Sequence, residues 1–152
     1  MGLSVSLREV TDADVDVFFE HQRDPEANEM AAFPARDKEA HEQHWAAKIL
    51  NDPTGVSRTI VVGHEVAGNI VSWLQGDMRL IGYWIGRDHW GKGIATSALA
   101  QFVDLLPERP LHAYVAKDNV GSVRVLEKCG FELQAEDTAE DGVVELLMKL
   151  PA

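Results

Sequence analysis

Three apolar, partly β-branched runs at residues 58–62, 66–74 and 78–85 follow one another with only short turns between them, containing Gly63 and Gly76. Connections that short can join antiparallel strands but not parallel ones, so the runs are expected to form an antiparallel meander. From Gly93 the apolar period becomes helical. Ile94, Ala98, Phe102 and Leu105 mark the stripe, and the helix should stop before Pro107. A short strand is expected at 111–115, then a helix at 119–129 that ends on Gly130, where glycine tolerates a left-handed backbone. Two last strands follow at 131–135 and 143–150.

Upstream, residues 3–10 read as a first strand, and Thr11-x-x-Asp14 resembles a capping box opening a helix. Val15, Phe18, Phe19 and Gln22 keep helical spacing, and the helix should end before Pro25. A second helix is expected from near Asp37, with His41, Trp45 and Ile49 on one face and a stop before Pro53. The order predicts a mixed α/β fold: a sheet of about seven strands with helices on both faces.

At 152 residues the chain has the length of one domain, taken as residues 1–152, and can bury roughly 70% of the surface its unfolded form exposes. Its single cysteine, Cys129, excludes an internal disulfide and any multi-cysteine metal site, as expected of a reducing, cytoplasmic setting. No run reaches the ~18 consecutive apolar residues of a membrane span, so no membrane partner is expected. Lys and Arg total 14 against 25 Asp and Glu, and a net charge of -11 opposes binding to nucleic acid. The same field would draw cationic amines toward the protein. A monomer and a homodimer are equally compatible with the sequence.

Chemistry is concentrated in residues 83–96, where Tyr83-Trp84-Ile85-Gly86 runs through Trp90-Gly91-Lys92-Gly93 into Ile94-Ala95-Thr96. Helix N-termini carry unpaired amides and partial positive charge, so a glycine-spaced loop that admits a diphosphate to them makes an anion site. Lys92 adds a cation. The loop is neither a Walker loop nor a Gly-x-Gly-x-x-Gly dinucleotide turn, and a lone Gly-x-Gly also suits a plain tight turn.

A second motif, Asn119-x-x-Ser122-x-x-x-x-Glu127-Lys128-x-Gly130-Phe131, changes that balance. With IGYWIG at 81–86 and WGKGIAT at 90–96, the sequence resembles the GNAT superfamily, and more closely its ribosomal-protein N-acetyltransferase-like branch. The resemblance implies a splayed sheet in which the strand at 83–85 diverges from that at 111–115, with coenzyme A wedged between them. It places the pantetheine amides on the backbone of Trp84 and Ile85, and the diphosphate on amides of residues 91–96. Gly86, Trp90 and Lys128 belong to the same cofactor-binding set, and Asn119 and Ser122 lie near the pantetheine arm. The activity implied is acetyl transfer from acetyl-CoA to a primary amine of a protein N-terminus, peptide or small molecule, by direct attack in a ternary complex and with no metal.

The sequence departs from the family pattern in three places. Trp90 stands at the first loop position, where Gln or Arg is usual. The tyrosine that often protonates the leaving thiolate would fall at Leu126; Ser122, one turn earlier on the same helix face, is the candidate to stabilise it instead. The glutamate base would fall near Arg79 or Leu80, neither of which is a base at neutral pH. Glu20, His21, Glu29 and His44 are the alternative bases, the histidines titrating nearest neutrality. His41-Glu42-Gln43-His44 is not a His-Glu-x-x-His zinc motif, and Cys129 lacks an evident partner histidine. With both catalytic positions altered, a non-catalytic acyl-CoA-binding module of the same fold is the competing expectation.

Overall fold

The computed structural model describes residues 4–31, 37–138 and 142–151. Strand β1 is Val5–Arg8; Leu3, expected at its start, lies outside the described residues. The capping box forms as expected. Asp14 accepts the Thr11 N–H at 2.9 Å, and Thr11 Oγ1 accepts the Asp14 N–H at 3.4 Å, opening helix α1 at Asp12–Gln22. The buried Asp14 carboxylate also accepts from the two terminal nitrogens of the Arg8 guanidinium and, at 2.8 Å, from the Thr59 hydroxyl. Burial alone would raise its pKa. The donors from Arg8, Thr11 and Thr59 outweigh that effect and hold the carboxyl well below the usual carboxylate range.

Pro25 ends α1 but also opens a further helix, α2 at Pro25–Ala31, which the spacing does not announce. Proline suits the first helical position because the N–H it lacks would be unpaired there, and Asp24 Oδ1 accepts the Glu26 N–H at 3.0 Å. Asp37 then caps α3, Lys38–Gln43, accepting the Ala40 N–H at 2.7 Å. The chain continues as a π-helical turn, His44–Ile49. His41 and Trp45 are buried on one face as expected, and the Trp45 ring lies 4.9 Å from that of Phe18.

The meander forms: β2 Val56–Val62, β3 Glu65–Gln75 and β4 Met78–Ile85 pair antiparallel in sequence. Helix α4, Ile94–Leu105, leads to β5 at Leu111–Ala116, then α5 at Val120–Lys128, β6 at Glu132–Thr138 and β7 at Val144–Leu150. The seven strands form one sheet in the order β1-β2-β3-β4-β5-β7-β6. Adjacent residues of β3 feed opposite faces. Ile70 joins the larger core with Ile60, Ile81, Leu99, Phe102 and Leu126, while Val71 packs on the smaller cluster of Val15, Phe18 and Trp45. Helices therefore cover both faces, each fully buried aliphatic or aromatic side chain contributing about 1.5–3 kcal/mol. Leu105 leaves the expected stripe and is 50% exposed; the helix ends there, and Leu106 turns extended and enters the core in its place.

Parallel pairing of β4 with β5 is confined to Arg79 with Leu111 and Leu80 with His112. On its other side β4 stays paired to β3 as far as Ile85. Beyond Leu80 the sheet is split.

Candidate functional site

The split opens a cleft of about 530 Å³ between β4, the start of α4 and the face of α5. Its first wall is the free edge of β4. Gly86 donates its N–H to Ala67 O at 2.8 Å, and bonded residues alternate along an antiparallel ladder. Trp84 and Gly86 therefore direct their backbone groups to β3, whereas Tyr83 and Ile85 direct theirs into the opening. The backbone of Trp84, the residue its motif suggests, thus faces β3, and that of Tyr83 faces the cleft. The Ile85 carbonyl already accepts the Trp90 indole N–H at 2.9 Å, which gives the tryptophan a positioning role in the loop.

The second wall is the loop into α4. Gly91 and Gly93 have φ of 71° and 77°, a left-handed backbone that side chains disfavour, and a Cβ added at either would meet no protein atom within 4 Å. Gly93 is the N-cap and supplies no capping side chain. The N–H groups of Ile94, Ala95 and Thr96 consequently lack intrahelical partners at the lip of the cleft.

Helix α5 forms the third wall. Asn119 Oδ1 accepts the Ser122 N–H at 3.3 Å, a capping bond that needs only one end of the amide. Arg124 and Lys128, four residues apart, both face the cleft. Tyr83 Oη lies 2.6 Å from Ser122 Oγ and 3.3 Å from the Ser122 carbonyl oxygen. Burial pushes the phenol pKa up to about 12 against the opposing bond to Ser122, so Tyr83 keeps its proton at neutral pH.

Of the residues singled out from sequence, Trp84, Ile85, Trp90, Gly91, Gly93, Ile94, Ala95, Thr96, Asn119, Ser122 and Lys128 line this cleft. Gly86 and Lys92 do not. Gly86 is buried against His21, whose ring atoms would lie 2.6 Å from an added Cβ, and Lys92 sits exposed in the loop. Tyr83, His89, Gly121, Arg124 and Val125 line it without having been named as binding residues from sequence. Arg124 had a sequence signal in its four-residue spacing from Lys128. Tyr83 stood in the quoted strand motif, but its contact had no signal, because only the fold brings it to Ser122, 39 positions away.

Leu126, at the usual tyrosine position, is a core residue. Arg79 pairs with Glu108 at 2.6 Å at the base of the split, and Leu80 is buried. None of Glu20, His21, Glu29 and His44 lines the cleft. Glu20 pairs with Arg23 at 3.2 Å. Burial, then the neighbouring His89, lower the His21 pKa, which favours the neutral form of its half-buried imidazole at neutral pH. Burial raises the Cys129 thiol, the opposite of what a nucleophilic cysteine requires. Among the described residues no three His, Cys, Asp or Glu side chains gather as a metal site requires. Arg87 joins the loop after β4 to the α1–α2 junction through Asp24 and Glu26.

A split mixed sheet, a free strand edge and an uncapped helix start meeting in one cleft define a class of proteins, and a family model described as an acetyltransferase (GNAT) domain matches residues 4–132. The chain belongs to the GNAT family and is an acetyl-CoA-dependent N-acetyltransferase. The match is to the GNAT domain as a whole. An uncharacterized N-acetyltransferase, p20, of Bacillus licheniformis is 29% identical over 141 residues, covering 84% of this chain and 79% of p20. Among solved structures, spermidine N-acetyltransferase from Vibrio cholerae in complex with CoA and spermine superposes with a TM-score of 0.84 at 15% identity, over 97% of this chain and 95% of that one. Aminoglycoside acetyltransferase AAC(6')-Ib in complex with coenzyme A does so at 0.81 and 21% identity, with the same coverage. These two likenesses establish the fold.

Proposed function

We propose that the β4–β5 cleft holds acetyl-CoA and that the acetyl group passes directly to a primary amine in a ternary complex. The observation that carries this reading is the free β4 edge running into an uncapped helix start. An extended pantetheine arm has amides that can pair with Tyr83 and Ile85 as a strand would. The diphosphate then reaches the N–H groups of Ile94, Ala95 and Thr96 past Gly91 and Gly93. Asn119 lies beside the arm, and Arg124 and Lys128 supply cations for the remaining phosphate. This assigns Arg124 a part in place of Lys92, and Tyr83 a part in place of Trp84 and Gly86.

In the transfer step the amine must be neutral, the carbonyl polarised and the thiolate stabilised. The β4 N–H groups facing the opening polarise the carbonyl, and Ser122 faces the sulfur. None of the four candidate bases lines the cleft, and the one imidazole that does, His89, has its Nε2 turned to Glu65 at 3.6 Å, so positioning of a neutral amine carries the attack, with proton loss to water. The acceptor enters from the α1–α2 side, where the Trp84 indole donates to the His21 carbonyl at 3.3 Å. The net charge of -11 favours a cationic amine. Spermine, bound in the Vibrio cholerae structure, and the aminoglycosides ribostamycin and kanamycin, bound in other AAC(6')-Ib structures, belong in the first panel together with peptides bearing free N-termini.

The test is thiol release from acetyl-CoA by the full chain across that panel, with the acetylated product identified by mass. Amine-dependent release with one favoured acceptor class is expected. Binding of coenzyme A with release at background for every amine would contradict the proposal.

A further inference from the structure

The hydroxyl pair in the cleft joins two elements that the family motifs treat separately. Ser122 belongs to the α5 motif, whereas Tyr83 lies in the middle of the β4 edge, and the two oxygens are 2.6 Å apart. One proton must lie between them. A phenol is the better donor and an aliphatic hydroxyl the better acceptor, so the short contact is Tyr83 O–H to Ser122 Oγ. The 3.3 Å contact to the Ser122 carbonyl is the weaker alternative for the same proton. With Tyr83 donating, the Ser122 proton is released from the pair and free to point into the cleft. A hydroxyl that is itself accepting is also a stronger donor, because chains of hydrogen bonds polarise one another.

We infer that Tyr83 is a positioning residue for acetyl transfer: it orients the Ser122 hydroxyl as donor to the sulfur that leaves. The inference rests on the proposed function of this cleft. As the amine nitrogen bonds to the carbonyl carbon, the C–S bond breaks and its electron pair stays on sulfur. Ser122 donates a hydrogen bond to that thiolate while Tyr83 holds the serine oxygen. The nitrogen then loses its surplus proton to water, and the released thiolate takes one from water, so no further reactant is needed. Burial keeps Tyr83 protonated and hence a donor across the neutral range. Leu126, where the family pattern places a tyrosine, cannot serve, since it is apolar and sealed in the core.

The pair predicts coupled losses, so the experiment is a double-mutant cycle in the full chain with Tyr83→Phe, Ser122→Ala and both together. Each single change should lower kcat about 10-fold or more, leaving KM for acetyl-CoA and the calorimetric Kd for coenzyme A within about 2-fold. The double variant should fall no more than about 2-fold below the weaker single, because both changes remove one donor. A purely structural role would move Kd and Tm instead. Losses that multiply, an unchanged kcat in Tyr83→Phe, or effects confined to KM would overturn the inference. Should Tyr83→Phe fold poorly, Ser122→Ala alone decides, because an unchanged kcat removes the donor to sulfur on which the scheme depends. If wild type releases no thiol, the functional reading fails and this inference with it; if wild type turns over and Tyr83→Phe equals it, the hydroxyl pair alone fails.

Discussion

The two edges of β4 are built from the same residues and do different work. Toward β3 every position from Met78 to Ile85 has a partner, whereas toward β5 pairing stops after Arg79 and Leu80. The closed edge follows from local rules, since a short turn forces β3 and β4 to pair along their length. The open edge is a compromise between neighbours. β5 is committed to β7 from Leu111 to Ala116, so it departs with β7 while β4 departs with β3. Arg79 with Glu108 pins the base of the split. The closed edge makes the fold, and the open one leaves backbone groups for a ligand.

Changes to the phosphate-facing loop and cations on the open side should weaken coenzyme A binding without unfolding the protein. The largest effect is expected for Gly93→Val, where a β-branched residue must take φ of 77° at the turn that leads into the free amides. Affinity for coenzyme A should fall about 100-fold, or roughly 2.7 kcal/mol, as read by calorimetry. An unchanged Kd would remove the loop from the site.

A change far from the split should do the reverse. Asp14→Asn breaks the tie from α1 to Arg8 and Thr59 and should cost about 2 kcal/mol in urea unfolding, less than for a fully buried pair because Arg8 is half exposed. Coenzyme A affinity should stay the same. The folded-state pKa of Asp14 lies below its unfolded value, so its contribution is complete above about pH 4 and is lost as pH falls toward the folded pKa. The variant should therefore show a shallower acid-induced loss of stability than wild type. An equal slope would contradict the assignment.

The smallest effect is expected for Arg124→Ala, about 10-fold in coenzyme A affinity and diminishing with added salt. The same substitution should leave the affinity for dephospho-coenzyme A nearly unchanged if this cation meets the lone phosphate. Equal losses for both ligands would place Arg124 elsewhere.

Much of the fold was legible because its signals are local. The turns at Gly63 and Gly76, the Thr11–Asp14 box and the Gly130 stop each act within a few residues. Pro25 misled for a local reason too: one residue both ends α1 and opens α2, and the sequence announces only the stop. Leu105 misled because a stripe does not say where a helix runs off its sheet. In the site, the loop and the Asn119–Ser122 segment were visible as motifs. The direction of each backbone group was not, because it depends on the β3–β4 register, which exchanged Trp84 for Tyr83. The Tyr83–Ser122 contact depends on packing between distant elements and had no pattern to reveal it.

Every assignment in the cleft depends on coenzyme A lying along the open edge of β4. Amide hydrogen exchange with and without coenzyme A tests it most directly. New protection is expected at Tyr83, Ile85 and Ile94 to Thr96, with Trp84 and Gly86 unchanged because their N–H groups already face β3. Protection that leaves Tyr83, Ile85 and the start of α4 unaltered while coenzyme A is bound would contradict it.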